Sequence, residues 1–258
     1  MTSIERTAYP RLPYRFPNDE LHEVYTPTQA ETTFASQLAH GNRPRLSFLI
    51  LLKCYQRLGY FPRPTEIPNP IIDHVRTCLD LPLKPYEKLT YPTASLYRYQ
   101  KAIRRYLKIT PYDEAAQACA RTAVQEAAQV MINPADLINV ALAELSKQHY
   151  ELPAFSTLDH LVQRVRTQVN GELFKTILSR LPPEARTRLD ALLSSPSRPS
   201  TWQRLKEQPK SATLMHLQEL YERLEWLRTL GDVDPPIVGV PPAKIRHFAA
   251  EARALSAD

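Results

Sequence analysis

Twenty-four prolines stand against five glycines in this chain of 258 residues. That ratio restricts the fold more than any other feature. Proline fixes φ and has no N–H to donate, so it breaks helix interiors and is excluded from central strands. It is tolerated in the first turn of a helix and in connections. Here the prolines fall between apolar-periodic segments, as in 62-PRPTEIPNP-70, Pro134, Pro182-Pro183, Pro235-Pro236 and Pro241-Pro242. Scarce glycine argues against the tight turns of β-hairpins and against Gly-rich phosphate loops. The chain reads as all-α, with proline as its punctuation.

The segments between prolines carry helical spacing. Residues 1–26 are rich in proline and tyrosine, lack periodicity, and read as an extended arm. Thr26-Pro27 has the form of an N-cap with proline at the first helical position, opening a helix to about His40. Leu46, Leu49, Ile50, Leu52 and Tyr55 recur at helical spacing in the next helix, from near Arg43-Pro44 to Gly59. A short helix over Ile71 to Leu81 follows, then the helix that Thr93 can cap. Further helices are expected over Glu114–Met131, Asn133–His149, Ser156–Val169, Leu173–Leu181, Pro183–Leu193, Trp202–Glu207, Leu214–Leu230 and Ala243–Leu255. Gly171 is read as the break between two of them.

A 43% share of hydrophobic residues is enough to bury a core. The longest apolar run, Phe48 to Leu52, is far too short to span a membrane, and the N-terminus has no apolar signal segment. Three scattered cysteines, Cys54, Cys78 and Cys119, suit a reducing compartment rather than a disulfide framework. A soluble cytoplasmic protein is expected. The net charge of +6 allows a polyanionic partner without requiring one.

The charge is concentrated in one place. The stretch 95-SLYRYQKAIRRYLKI-109 has five basic residues and no acid. On a helical wheel Leu96, Tyr99, Ile103, Tyr106 and Leu107 gather on one side. Arg98, Lys101, Arg105 and Lys108 gather opposite, with Arg104 at the boundary. Surface helices ordinarily mix signs, because oppositely charged neighbours one turn apart attract and like charges repel. An all-basic face tolerates its own repulsion, and a polyanion would relieve it. Two companion clusters add weight. Arg43, Arg45, Lys53 and Arg57 lie in a stretch without acids. His160, Arg164 and Arg166 lie together after Ser156, with Gln163 and Gln168 beside them. Arginine can donate twice to guanine, and glutamine can pair with adenine in the same bidentate manner.

Catalytic signatures are missing. The seven histidines form neither HExxH nor a paired His/Cys metal spacing, and no P-loop, GxGxxG or GxSxG is present. No catalytic residue, metal site or cofactor is expected from these residues.

Several stretches, in order, resemble the N-terminal region of the large replicative transposases of the Tn-three family. The first is 46-LSFLILLKCYQRLGYFPRPTEIPNPIIDHVRTCLDL-81, matching through Arg45 just before it, then Phe48, Leu51, Leu52, Gln56, Gly59, Phe61, Ile67-Pro68 and Val75. Next comes the basic helix, through Arg98, Ile103, Arg104 and Leu107. Then follow 151-ELPAFSTLDHLV-162, 201-TWQRLKEQPKSATLMHLQELYERLEWLRTLG-231 and 242-PAKIRHFAAEARALSAD-258. Each motif is degenerate by itself, and their collinearity carries the resemblance.

The resemblance implies the DNA-binding part of such a transposase, recognising double-stranded DNA at the terminal inverted repeats. It implies two helical modules, 1–112 with helix-turn-helix-like character and 113–258 ending mid-domain. The family's catalytic domain with its metal-binding acids would follow further along, so strand transfer and its magnesium are not expected of this chain. Partners besides DNA would be a full-length transposase or a second copy. The expected contact residues are Arg98, Lys101, Arg104, Arg105, Lys108, Arg45, His160, Arg164 and Arg166. The rival expectation is a helical protein–protein module, in which the tyrosine-rich arm and the leucine-rich helix 214–230 form the interface. An enzyme of unrecognised helical type is a third reading, which the resemblance disfavours.

Overall fold

Where proline and capping residues fall decides where this chain turns, and the computed structural model displays the outcome. It describes residues 2–13, 17–81, 93–193, 205, 207, 211–229, 231 and 234–254. Among the described residues every regular element is helical, so the fold is all-α. The α-helices are α1 (Asn18–Tyr25), α2 (Gln29–Leu38), α3 (Asn42–Leu58), α4 (Asn69–Cys78), α5 (Thr93–Leu107) and α6 (Glu114–Ala127). After these come α7 (Pro134–Lys147), α8 (Phe155–Arg180), α9 (Pro183–Leu193), α10 (Leu214–Arg228), α11 (Asp234–Ile237) and α12 (Pro242–Ala254). Single 3-10 turns occupy Ile4–Arg6 and Pro64–Glu66.

Four details depart from the sequence reading. The N-terminal arm contains α1, whose eight residues are too few to display a period. Its Leu21, Val24 and Tyr25 nevertheless pack into the core. Thr28, not Thr26, caps α2. Its hydroxyl accepts the Glu31 N–H at 3.2 Å while the Glu31 carboxylate accepts the Thr28 N–H at 2.8 Å. This is the capping-box arrangement of Thr-x-x-Glu, and it outcompetes the Thr-Pro signal two residues earlier. Helix α8 runs unbroken for 26 residues through Gly171. Glycine weakens a helix interior by about 1 kcal/mol relative to alanine, which does not suffice to end one held by packing on both sides of it. Between the two proline pairs the chain forms the short α11 instead of a plain loop. The helix expected over Trp202–Glu207 lies almost wholly outside the described residues.

The chain divides into two compact units that interleave in sequence, residues 1–124 with 138–161 and residues 125–137 with 162–258. In the first unit α3 is the axis. Every residue from Leu46 to Tyr55 is buried, so this helix is covered on all sides. The helices α1, α2, α4 and α5 pack against it. Phe48, Leu49, Ile50, Leu51 and Leu52 are fully buried, and each such side chain stabilises by about 2 kcal/mol relative to exposure. Burial also catches a cation. Lys53 is satisfied by buried Glu31 at 3.4 Å, which accepts from Gln56 as well at 2.7 Å.

Gly59 ends α3 in the left-handed conformation, with φ of 73°, and its N–H donates to the Tyr55 carbonyl. A β-carbon there would stand 3.1 Å from the Leu152 side chain, so both conformation and space call for glycine. The Gly59 carbonyl accepts the Leu152 N–H, and Thr110 exchanges backbone hydrogen bonds with His149 and Glu151. The segment 149–152 is thereby tied to the ends of both α3 and α5. The N-terminal arm is pinned nearby. Tyr9 donates its hydroxyl to the Pro153 carbonyl at 2.8 Å and packs its ring on Tyr60 and Phe155.

In the second unit Val162, Val165 and Val169 of α8 are buried, as are Ala185 and Val240. Phe174 meets Phe248 edge-on at 4.9 Å. Lys244 is buried too, and its ammonium donates to Asn170 Oδ1 at 3.0 Å.

Candidate nucleic-acid interface

Helix α5 owes its orientation to two residues. Tyr99 and Ile103 are buried on α3, and Tyr99 meets Phe48 edge-on at 5.4 Å. Leu96, Ala102, Leu107 and Ile109 close around the same core. With that side fixed, the 100° step of the helix turns Arg98, Lys101, Arg105 and Lys108 out into solvent, where all four are exposed. None of the four forms an ion pair with an acid among the described residues. Arg98 leans over the ring of its neighbour Tyr99. From Arg98 to Lys108 the stripe is about 15 Å long, at 1.5 Å per residue.

The end of α5 is strained in a way that keeps a cation in place. Lys108 adopts the left-handed conformation with φ of 55°. The Ile109 N–H reaches back to the Arg104 carbonyl at 2.9 Å and the Lys108 N–H to Arg105 at 3.4 Å. This terminating loop ordinarily places glycine where Lys108 stands. Asp80 after α4 and His149 after α7 do the same, with φ of 49° and 56°. Helix ends that glycine would normally serve are thus closed by side chains bearing charge or a proton, which accounts for part of the glycine scarcity.

Arg104 is placed differently from its neighbours. Its Nε donates to Glu151 at 2.6 Å and its guanidinium lies over the Phe61 ring at 5.1 Å. It lines, with Tyr60, Phe61, Tyr112 and Glu151, an aromatic cavity of about 490 Å³. Arg104 therefore ties α5 to the 149–152 segment, and its charge is largely balanced within the fold.

The companion clusters are split. On α3, Lys53 is taken by Glu31 and Arg57 by Glu20 at 3.7 Å, so two of the four cations in that acid-free stretch of sequence meet acids from α2 and α1. Sequence distance hid these partners. Arg45 is half-buried, with its Nε shielded and without an acceptor. On α8, His160 is exposed and belongs to the first unit. Arg164 and Arg166 belong to the second, where Arg164 is exposed and Arg166 half-buried. The Arg166 Nε is shielded and has no acceptor. Lys244 is near it. Burial, and then the Arg166 charge, push the Lys244 ammonium below its usual pKa.

The sequence reading passed over Tyr97. It is 67% exposed beside Arg98 and one turn from Lys101. The wheel that sorted the cations also places Tyr97 outside the apolar arc, and that was the signal available. Tyr106, counted with the apolar side, is 39% exposed but stacks on Phe34 at 4.6 Å.

Among the described residues no cluster of three or more histidine, cysteine or acidic side chains could hold a metal ion. No helix among them is long and apolar enough to cross a membrane. The connection between α4 and α5, on which a helix-turn-helix-like unit would depend, falls mostly on residues 82–92, outside the described residues. Compared with known proteins, residues 1–165 match the model of a family described as a domain of unknown function, DUF4158. No curated protein matches the chain.

Proposed function

The chain belongs to the DUF4158 family, and we propose that it is a cytoplasmic, sequence-specific DNA-binding protein acting on the terminal inverted repeats of a transposon. The single observation that carries this reading is the exposed face of α5, where Arg98, Lys101, Arg105 and Lys108 stand together without an acidic partner among the described residues. Duplex DNA carries one phosphate charge per roughly 1.7 Å of axis, so a stripe of four cations suits its backbone. The collinear motifs that resemble the N-terminal region of Tn-three family transposases support the same reading. In this reading binding is the activity, and strand transfer belongs to a separate catalytic domain. Phosphate contacts supply affinity and salt dependence, and a smaller set of side chains reads bases.

One observation favours a second reading. Helix α10 exposes Leu217, Leu220, Tyr221, Leu224 and Leu227, an apolar face of the kind that meets another protein. Under that reading the partner is a full-length transposase or a second copy of this chain.

The test is binding to a duplex bearing the terminal repeat of the transposon that encodes the chain, against a scrambled duplex of equal length. The proposal expects preference for the repeat by at least about 10³-fold, the lower bound for specific recognition. Equal, weak binding to both duplexes sinks it and brings the protein-interaction reading forward.

A further inference from the structure

Resting on the DNA-binding reading, we infer that Tyr97 is the base-reading residue of α5 and that its ring lies against a thymine methyl group in the major groove. Three observations converge on it. Of the tyrosines on α5, Tyr99 is buried in the core and Tyr106 stacks on Phe34, whereas Tyr97 is 67% exposed and meets no other ring and no hydrogen-bond partner among the described residues. It sits within the basic stripe, directly before Arg98 and four residues before Lys101, so whatever the cations bring to this face is brought to Tyr97. It also lies in the first half of α5, and recognition helices contact base edges with their N-terminal residues.

Chemistry selects the ligand. Lysine and arginine are cationic donors suited to phosphates and to guanine, and neither the ammonium nor the guanidinium is matched to an apolar methyl group. The thymine C5-methyl is the one apolar mark in the major groove, and an aromatic ring covers it. Tyrosine and arginine, with tryptophan, are enriched at the energetic centres of protein interfaces. The division of labour is that Arg98, Lys101, Arg105 and Lys108 hold phosphates while Tyr97 selects.

The experiment uses the full chain and a duplex isolated from a random-sequence pool by selection with the wild-type protein. Thymines of that duplex are replaced one at a time by deoxyuridine, which removes only the methyl. At one or two positions wild-type affinity falls about four-fold, as expected for one buried methyl group. Tyr97→Ala loses roughly ten-fold in preference for the selected duplex over scrambled DNA, keeps its salt dependence, and no longer responds to deoxyuridine at those positions. Tyr97→Phe retains the preference, because the ring and not the hydroxyl makes the contact. An unchanged thermal midpoint confirms that these exposed-site variants fold. The inference is overturned if no deoxyuridine position weakens the wild type, if Tyr97→Ala weakens selected and scrambled duplexes equally, or if its preference is intact. A selection that yields no preferred sequence is a failure of the DNA-recognition reading itself, distinguishable because the wild type then discriminates nothing.

Discussion

Glu31 shows how one side chain can hold several decisions of this fold. It closes the capping box of α2, accepts from Gln56 and pairs with buried Lys53. Burial alone would raise its pKa, but the Thr28 N–H, the Gln56 amide and the Lys53 ammonium outweigh that, and the carboxyl ends below its usual range. A depressed folded pKa contributes stability that is fully present above the unfolded carboxylate value of about 4.3 and is lost as pH falls through the folded value. Glu31→Gln leaves Lys53 buried without a counter-charge, which costs about 3 kcal/mol. Denaturant titration at pH 7 should register that loss. The gap between wild type and variant should then narrow on acidification below about pH 4, since protonation removes the same charge from the wild type. A gap that is constant from pH 7 to pH 3 contradicts this account. The Thr-x-x-Glu pattern was legible in the sequence, but the ion pair was not. Lys53 stood in an acid-free run, and its partner lies 22 residues earlier on another helix.

Elements were legible where proline and glycine punctuate apolar runs. Helices α3, α9 and α12 begin within a residue or two of expectation, because each has a proline in its first turn, and Gly59 ends α3 where expected. The failures are physical. A periodicity test needs more than the two turns of α1, and a capping residue competes with a neighbouring Thr-Pro only through its reciprocal bond, which Glu31 provides. Gly171 does not break α8, since propensity yields to packing. On α5 the wheel sorted the four exposed cations and assigned Arg104 to the boundary, but could not foresee that Glu151 claims it. The end of α5 offers a prediction at this scale. Lys108 holds a left-handed conformation that costs a non-glycine residue about 1 kcal/mol. Lys108→Gly should therefore leave stability unchanged or raise it by up to about 1 kcal/mol, while weakening binding to duplex DNA several-fold at low salt through loss of one phosphate contact. Thermal unfolding and a binding isotherm on the same preparation decide it. Loss of stability in the variant would mean that the lysine side chain supports the fold rather than a ligand.

For the molecule as a whole, what matters is where the positive excess resides. Of the acid-free stretches in sequence, the one on α3 is partly neutralised by folding, through Glu31 and Glu20, whereas the α5 face stays uncompensated among the described residues. Folding thus neutralises part of the α3 stretch and leaves the cations of the α5 face exposed. That selection, and not the net charge of +6, is the reason for assigning the face to a polyanion. The most direct measurement is the dependence of duplex affinity on salt, for the wild type and for a variant with Arg98, Lys101 and Arg105 all changed to glutamine. Each lost phosphate contact should lower the slope of log affinity against log salt by about 0.9, so the account predicts a slope reduced by roughly two to three with the thermal midpoint unchanged. An identical slope in the two proteins would contradict it, because the duplex would then be held elsewhere or only non-specifically by the rest of the surface.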